Sequence, residues 1–255
     1  MRVKLALVTV LLVLSAGCAT VSDRNPVPLH LMPEASVPGM GPIRYWGDEM
    51  PKEAAEELRR KIPSMVRLAE SPPEHGRPVV NFLAISSGGD GGAFAAGLLV
   101  GWTQSGRRPR FEIVTGVSAG ALIAPLAFLG SAYDGQLTAM WTRYSTQDLI
   151  VKRPLAALLG GAALADTSPL ADLIARYIDR SFLDAIAAEY HRGRILLVET
   201  TNLDAQRPVV WNMTAIAASR HPRALTLFRQ VLLASASVPG VFPPPCTYAS
   251  RPAAS

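Results

Sequence analysis

Between Val79 and Leu233, short apolar runs alternate with longer stretches whose apolar residues recur at helical spacing. Val79–Ser86 reads as an apolar strand and Phe111–Thr115 as a short buried one. Each runs into a predicted helix, Ala93–Thr103 and Ala119–Leu129, and the second of these contains no charged residue. Tyr133–Thr146 reads as a further helix, with Trp141 and Tyr144 as core or rim aromatics. Asp166-Thr167-Ser168-Pro169 has the polar cap and early proline of a helix start, and amphipathic helices follow over Leu170–Tyr190. Arg194–Thr201 and Val209–Met213 read as strands about a turn at Asn202–Gln206, and Pro222–Leu233 as a helix. Such alternation predicts an α/β layered fold.

The ends of the chain pattern differently. Arg2 and Lys4 precede an apolar run, Leu5–Leu14, too short to cross a bilayer, which takes about twenty residues. Leu14-Ser15-Ala16-Gly17-Cys18 then has the small residues and cysteine of a bacterial lipobox. Residues 1–17 are thus expected to be a lipoprotein signal peptide and Cys18 the lipidated residue, with an ordinary secretory signal as the alternative. Ala19 after the cysteine is similar to lipoproteins sent to the outer membrane, facing the periplasm. Residues 18–78 are expected to be a tether and an N-terminal helix. Ala19–Trp46 is proline-rich without periodicity, and Glu49–Glu70 holds an amphipathic helix that Pro63 bends or ends. Within Val151–Ala165 the run Pro154–Ala165 is uncharged with two central glycines, and the segment reads as a buried helix interrupted by glycine or as a flap over an acyl-chain site.

Composition narrows the functional classes. A chain of 255 residues, 49% hydrophobic, is long enough for one domain with a sizeable core. The net charge of +5 comes from scattered arginines rather than a basic run interleaved with aromatics, so no nucleic-acid surface is expected. A basic face could still favour anionic lipid head groups. No His or Cys pair has metal-ligand spacing, and neither a metal nor a cofactor is called for.

The chemistry concentrates where the apolar strand meets the uncharged helix. In Gly116-Val117-Ser118-Ala119-Gly120 a serine stands between glycines at a strand-to-helix turn, as in the nucleophile elbow of a serine hydrolase. Side chains at 116 and 120 would collide across so tight a turn, and the following helix aims its free N–H groups at the same spot. The competing reading is a serine N-cap on a core helix. Upstream, Ser87-Gly88-Gly89-Asp90-Gly91-Gly92 follows the first strand and can present backbone N–H groups of Gly88, Gly89, Asp90, Gly91 and Gly92 to an oxyanion. It matches neither a dinucleotide fingerprint nor a P-loop.

Leu83–Gly92, Gly116–Gly120 and Ala234-Ser235-Ala236-Ser237-Val238-Pro239-Gly240-Val241-Phe242-Pro243-Pro244 together resemble the patatin-like phospholipases. The resemblance covers about Val79 to Pro244. It implies a central, mostly parallel sheet flanked by helices, with residues 79–255 as the domain. It also implies hydrolysis of lipid acyl esters by a Ser-Asp dyad, with Ser118 as nucleophile. The family usually has glycine where Ser87 stands, and serine would be strained there if the position needs positive φ.

A further departure concerns the base. The family places Asp-Gly-Gly or Asp-Gly-Ala after the Val-Pro-Gly-x-Phe-Pro-Pro segment, whereas no aspartate follows Asp204 here. Asp90-Gly91-Gly92 precedes the nucleophile and lies within the oxyanion loop, so it is not the dyad partner. The expectation is a domain incomplete at its C-terminal end, through truncation or a frame change near Pro245. A non-catalytic lipid-binding lipoprotein is the alternative. A Ser-His-Asp hydrolase would need His191 or His221, which read as a helix-end and a capping histidine.

Overall fold

The computed structural model describes residues 27–69, 77–149, 151–152 and 165–238. Five strands form one sheet: β1 (Arg44–Trp46), β2 (Phe82–Ile85), β3 (Ile113–Val117), β4 (Ile195–Asn202) and β5 (Arg207–Asn212), in the order β1-β5-β4-β3-β2. Among the described residues eight helices of six or more residues accompany it: α1 (Lys52–Leu68), α2 (Gly92–Gln104), α3 (Ala119–Leu129), α4 (Asp134–Arg143), α5 (Ser168–Tyr177), α6 (Arg180–His191), α7 (Met213–Ala218) and α8 (Ala224–Ala236). The fold is α/β, as the alternation predicts.

The centre of the sheet is parallel and one side is not. β2 pairs with β3, and β3 with β4, in parallel, whereas β4–β5 and β5–β1 are antiparallel. The reason lies in the connections. β2–β3 and β3–β4 are joined through helices, but only a short turn separates β4 from β5, and a tight turn can only reverse the chain. Asn202 organises that turn: its side-chain oxygen accepts from the N–H groups of Asp204 and Ala205, both at 3.0 Å.

α3 is the core helix. Every residue from Ala119 to Phe128 is buried, which explains its lack of a polar face. It lies against β3 and α8, with Ile123, Leu126 and Phe128 in one cluster with Leu196, Val198 and Phe228. Burying each of these large side chains contributes about 1.5–3 kcal/mol.

One expectation needs correction and another is narrowed. Residues 27–46 are not a free tether: Met32, Ala35, Val37, Met40 and Ile43 are buried, and β1 joins the sheet edge through β5. Their anchor spacing follows an irregular path over the body rather than a helix or strand period, so no periodicity announces them. Pro63 does not end its helix, because α1 runs through it to Leu68. The residue is exposed, so the carbonyl its ring leaves without a donor can face water. The lipobox with Cys18 lies outside the described residues, as does most of the Val151–Ala165 segment; its ends pair as a short antiparallel ribbon, Val151–Lys152 with Ala165–Asp166.

Candidate active site

β3 delivers Ser118 to the C-terminal end of the sheet, where the chain turns sharply into α3. Ser118 adopts φ 55° and ψ −120°, in the left-handed half of backbone space that a side chain rarely occupies. Its glycine neighbours are required by contact. A Cβ on Gly116 would stand 2.4 Å from the carbonyl oxygen of Gly120, and one on Gly120 would stand 2.2 Å from that of Ile85. These distances are far inside van der Waals contact, so only hydrogen fits. The second contact also places the elbow directly against the end of β2, where the glycine loop begins. Val117 and Ala119 complete the turn as the last residue of β3 and the first of α3.

The two ends of the Ser118 peptide are tied. Its carbonyl accepts from Ala121 N–H at 2.9 Å, which starts α3. Its N–H donates to the Ser235 hydroxyl at 2.9 Å, and that hydroxyl donates in turn to the Glu199 carbonyl at 2.6 Å. Ser235 lies in the last turn of α8, so the elbow is joined to both α8 and β4.

The loop divides the five candidate oxyanion donors. Gly88 is extended and Gly89 has φ 51°, and their positions are open: no atom lies within 4 Å of a Cβ placed on Gly89 or Gly91. Gly91 N–H donates to the Gly88 carbonyl at 2.9 Å, and Gly92 N–H donates back to Gly89 and Asp90. Gly91 and Gly92 are therefore held inside the turn, and of the glycine donors Gly88 and Gly89 make no bond within it. Gly92 serves packing instead, since a Cβ there would stand 2.2 Å from the Trp141 ring. Ser87 has no positive φ, so serine is accommodated there without the expected strain.

The histidines are far from this constellation in the topology. His191 ends α6 ahead of β4, which runs parallel to β3, and so lies at the opposite end of the sheet from Ser118. The His221 Nδ1 accepts from Arg223 N–H at 3.2 Å beside the start of α8, and its ring packs against Gly39. Neither is arranged as a triad base. A cavity of about 450 Å3, lined by Ile43, Glu57, Lys61 and Tyr190 among others, lies at that same far end. Lys61 sits over the Tyr190 ring there, and burial lowers the Lys61 ammonium pKa from its ordinary value.

Carboxylates come closer to the elbow. Glu199 ends up in register with Val117 on the neighbouring strand, and Asp90 lies in the glycine loop. Sequence reasoning passed over both Ser235 and Glu199. The sequence marks Ser235 only as part of the third motif, and Glu199 becomes adjacent to the elbow only once the β3–β4 register is known. The segment Pro239–Pro244 and Cys246 lie outside the described residues.

A family model described as patatin-like phospholipase matches residues 83–248, from β2 through the end of the third motif. The chain belongs to the patatin-like phospholipase family. A search of curated proteins returned no match. Family membership makes this a domain of a lipid acyl hydrolase family, and the structure brings the elbow and the start of the glycine loop side by side.

Proposed function

We propose that the chain is a serine hydrolase of lipid acyl esters with Ser118 as its nucleophile. The observation that carries this reading is the forced conformation of Ser118, held between two contact-limited glycines at the start of an apolar helix and against the loop that carries Gly88 and Gly89. Ser118 Oγ bonds to the ester carbonyl carbon as its proton passes to a base, and the carbonyl oxygen becomes an oxyanion facing the loop N–H groups. The oxyanion collapses, the alcohol leaves with a proton, and water then hydrolyses the acyl-enzyme to a carboxylic acid.

The base distinguishes two readings. Family members use an aspartate after the third motif, and no aspartate follows Asp204 in this sequence. A positioned base contributes about 10²–10⁴ in rate. An activated ester acylates a serine with little help from a base, whereas water attack on the acyl-enzyme needs one, so the hydrolase reading predicts acylation with slow release and a lipid-binding reading predicts neither. With p-nitrophenyl octanoate, the full chain is expected to give a burst of p-nitrophenolate stoichiometric with protein, followed by slow turnover, and Ser118→Ala no burst. Absence of a burst from the folded wild-type chain favours lipid binding without catalysis.

A further inference from the structure

We propose that Ser235 is a positioning residue for Ser118, acting through the nucleophile's own backbone; this rests on the reading of Ser118 given above. Three facts carry it. Ser118 holds a strained backbone conformation, φ 55°, that persists only where the surroundings enforce it. The Ser235 hydroxyl accepts from Ser118 N–H at 2.9 Å and donates to the Glu199 carbonyl at 2.6 Å, so both of its bonds have fixed backbone partners. Its helix, α8, is anchored by buried Leu227, Phe228, Val231 and Leu232. A hydroxyl held from both sides on a packed helix cannot follow the elbow if the elbow relaxes. It therefore acts as a clip that holds the strained peptide at the end of β3 against β4.

The same bond has a chemical consequence. The Ser118 N–H points into Ser235 and is not offered to the substrate, which assigns the oxyanion to Gly88, Gly89 and the start of α3. Removing the hydroxyl frees that N–H and lets the Ser118 peptide rotate, which misplaces Oγ. A misplacement of about 1 Å costs roughly 10²-fold in rate.

The test compares Ser235→Ala with Ser235→Thr in the full chain, reading the saturating rate and the half-saturating concentration of fluorophosphonate labelling, with hydrogen exchange of the peptide containing Ser118. S235A is expected to lower the saturating rate by about 10–100-fold with the half-saturating concentration unchanged, and to speed exchange at Ser118. S235T, which keeps the hydroxyl, is expected to stay within a few-fold of wild type on both. A structural role alone would lower thermal stability and leave the saturating rate of the folded fraction untouched. If S235A does not fold, S235T and Ser235→Cys carry the comparison, the weaker thiol giving the slower labelling. Equal rates in wild type and S235A, or S235T as slow as S235A, would overturn the proposal while leaving Ser118 as nucleophile. No labelling of the wild type would overturn the reading of Ser118 and the proposal with it.

Discussion

Replacing Gly120 with alanine is expected to lower the melting temperature by roughly 6–12 °C and to abolish reaction at Ser118. The added methyl would stand 2.2 Å from the Ile85 carbonyl oxygen and 2.7 Å from that of Ser86. Both are backbone atoms, so no side chain can swing away. β2 must move off β3 or α3 must shift from its fully buried seat, and overpacking of this kind costs about 3 kcal/mol. At about 2–4 °C per kcal/mol for a domain of this size, that gives the stated range. Because Ser86 leads into the glycine loop, the displacement also moves the oxyanion donors. The matching control is Gly97→Ala in α2, where a Cβ meets nothing within 4 Å. It is expected to be neutral or to stabilise by about 0.4–1 kcal/mol through the unfolded state. Differential scanning fluorimetry of the two variants reads the contrast, and equal melting temperatures would contradict it.

Arg194→Ala is expected to destabilise the fold by about 3–5 kcal/mol, more than any surface change. The guanidinium is 3% exposed and its hydrogen bonds run inward, to the Phe111 carbonyl at 2.9 Å through Nε, to the Phe128 carbonyl, and to Glu189 at 2.8 Å. It closes the entrance of β3, the exit of α3 and the end of α6 around one group, and it lies over the Phe128 ring. Burial pulls its pKa down from the ordinary value, with Glu189 pulling it back up. Truncation leaves two buried carbonyls without a donor and Glu189 with only Arg192, whose side chain is 60% exposed. Arg192→Ala, by contrast, removes a surface partner and is expected to cost under about 1 kcal/mol. Urea denaturation separates them, and a similar midpoint for both would show that Arg194 is not the closing group.

How much of this was legible depended on whether the deciding information was local. The elbow was legible because its glycines and its apolar helix lie within one short stretch, and the predicted Ala119–Leu129 matches the observed helix at both ends. The collision of side chains at positions 116 and 120 follows from the same stretch. The loop was legible as a motif but not in its division of labour, because the inward bonds of Gly91 and Gly92 depend on the turn actually formed. β1 was missed because Arg44-Tyr45-Trp46 has no strand pattern of its own; β5 supplies its partners. α7 was missed too, since Met213–Ala218 is a short helix set by the Asn212 side chain, which accepts from Ala215 N–H at 2.9 Å. The clip at Ser235 joins positions far apart in the chain, which no periodicity records.

The central claim is that the elbow still makes Ser118 reactive, and a fluorophosphonate probe tests it most directly because it reports the serine without requiring deacylation. One adduct per folded chain is expected, located by mass spectrometry to the peptide containing Ser118 and absent from Ser118→Ala. A folded wild-type chain that takes up no probe, or takes it up equally after Ser118→Ala, would contradict it.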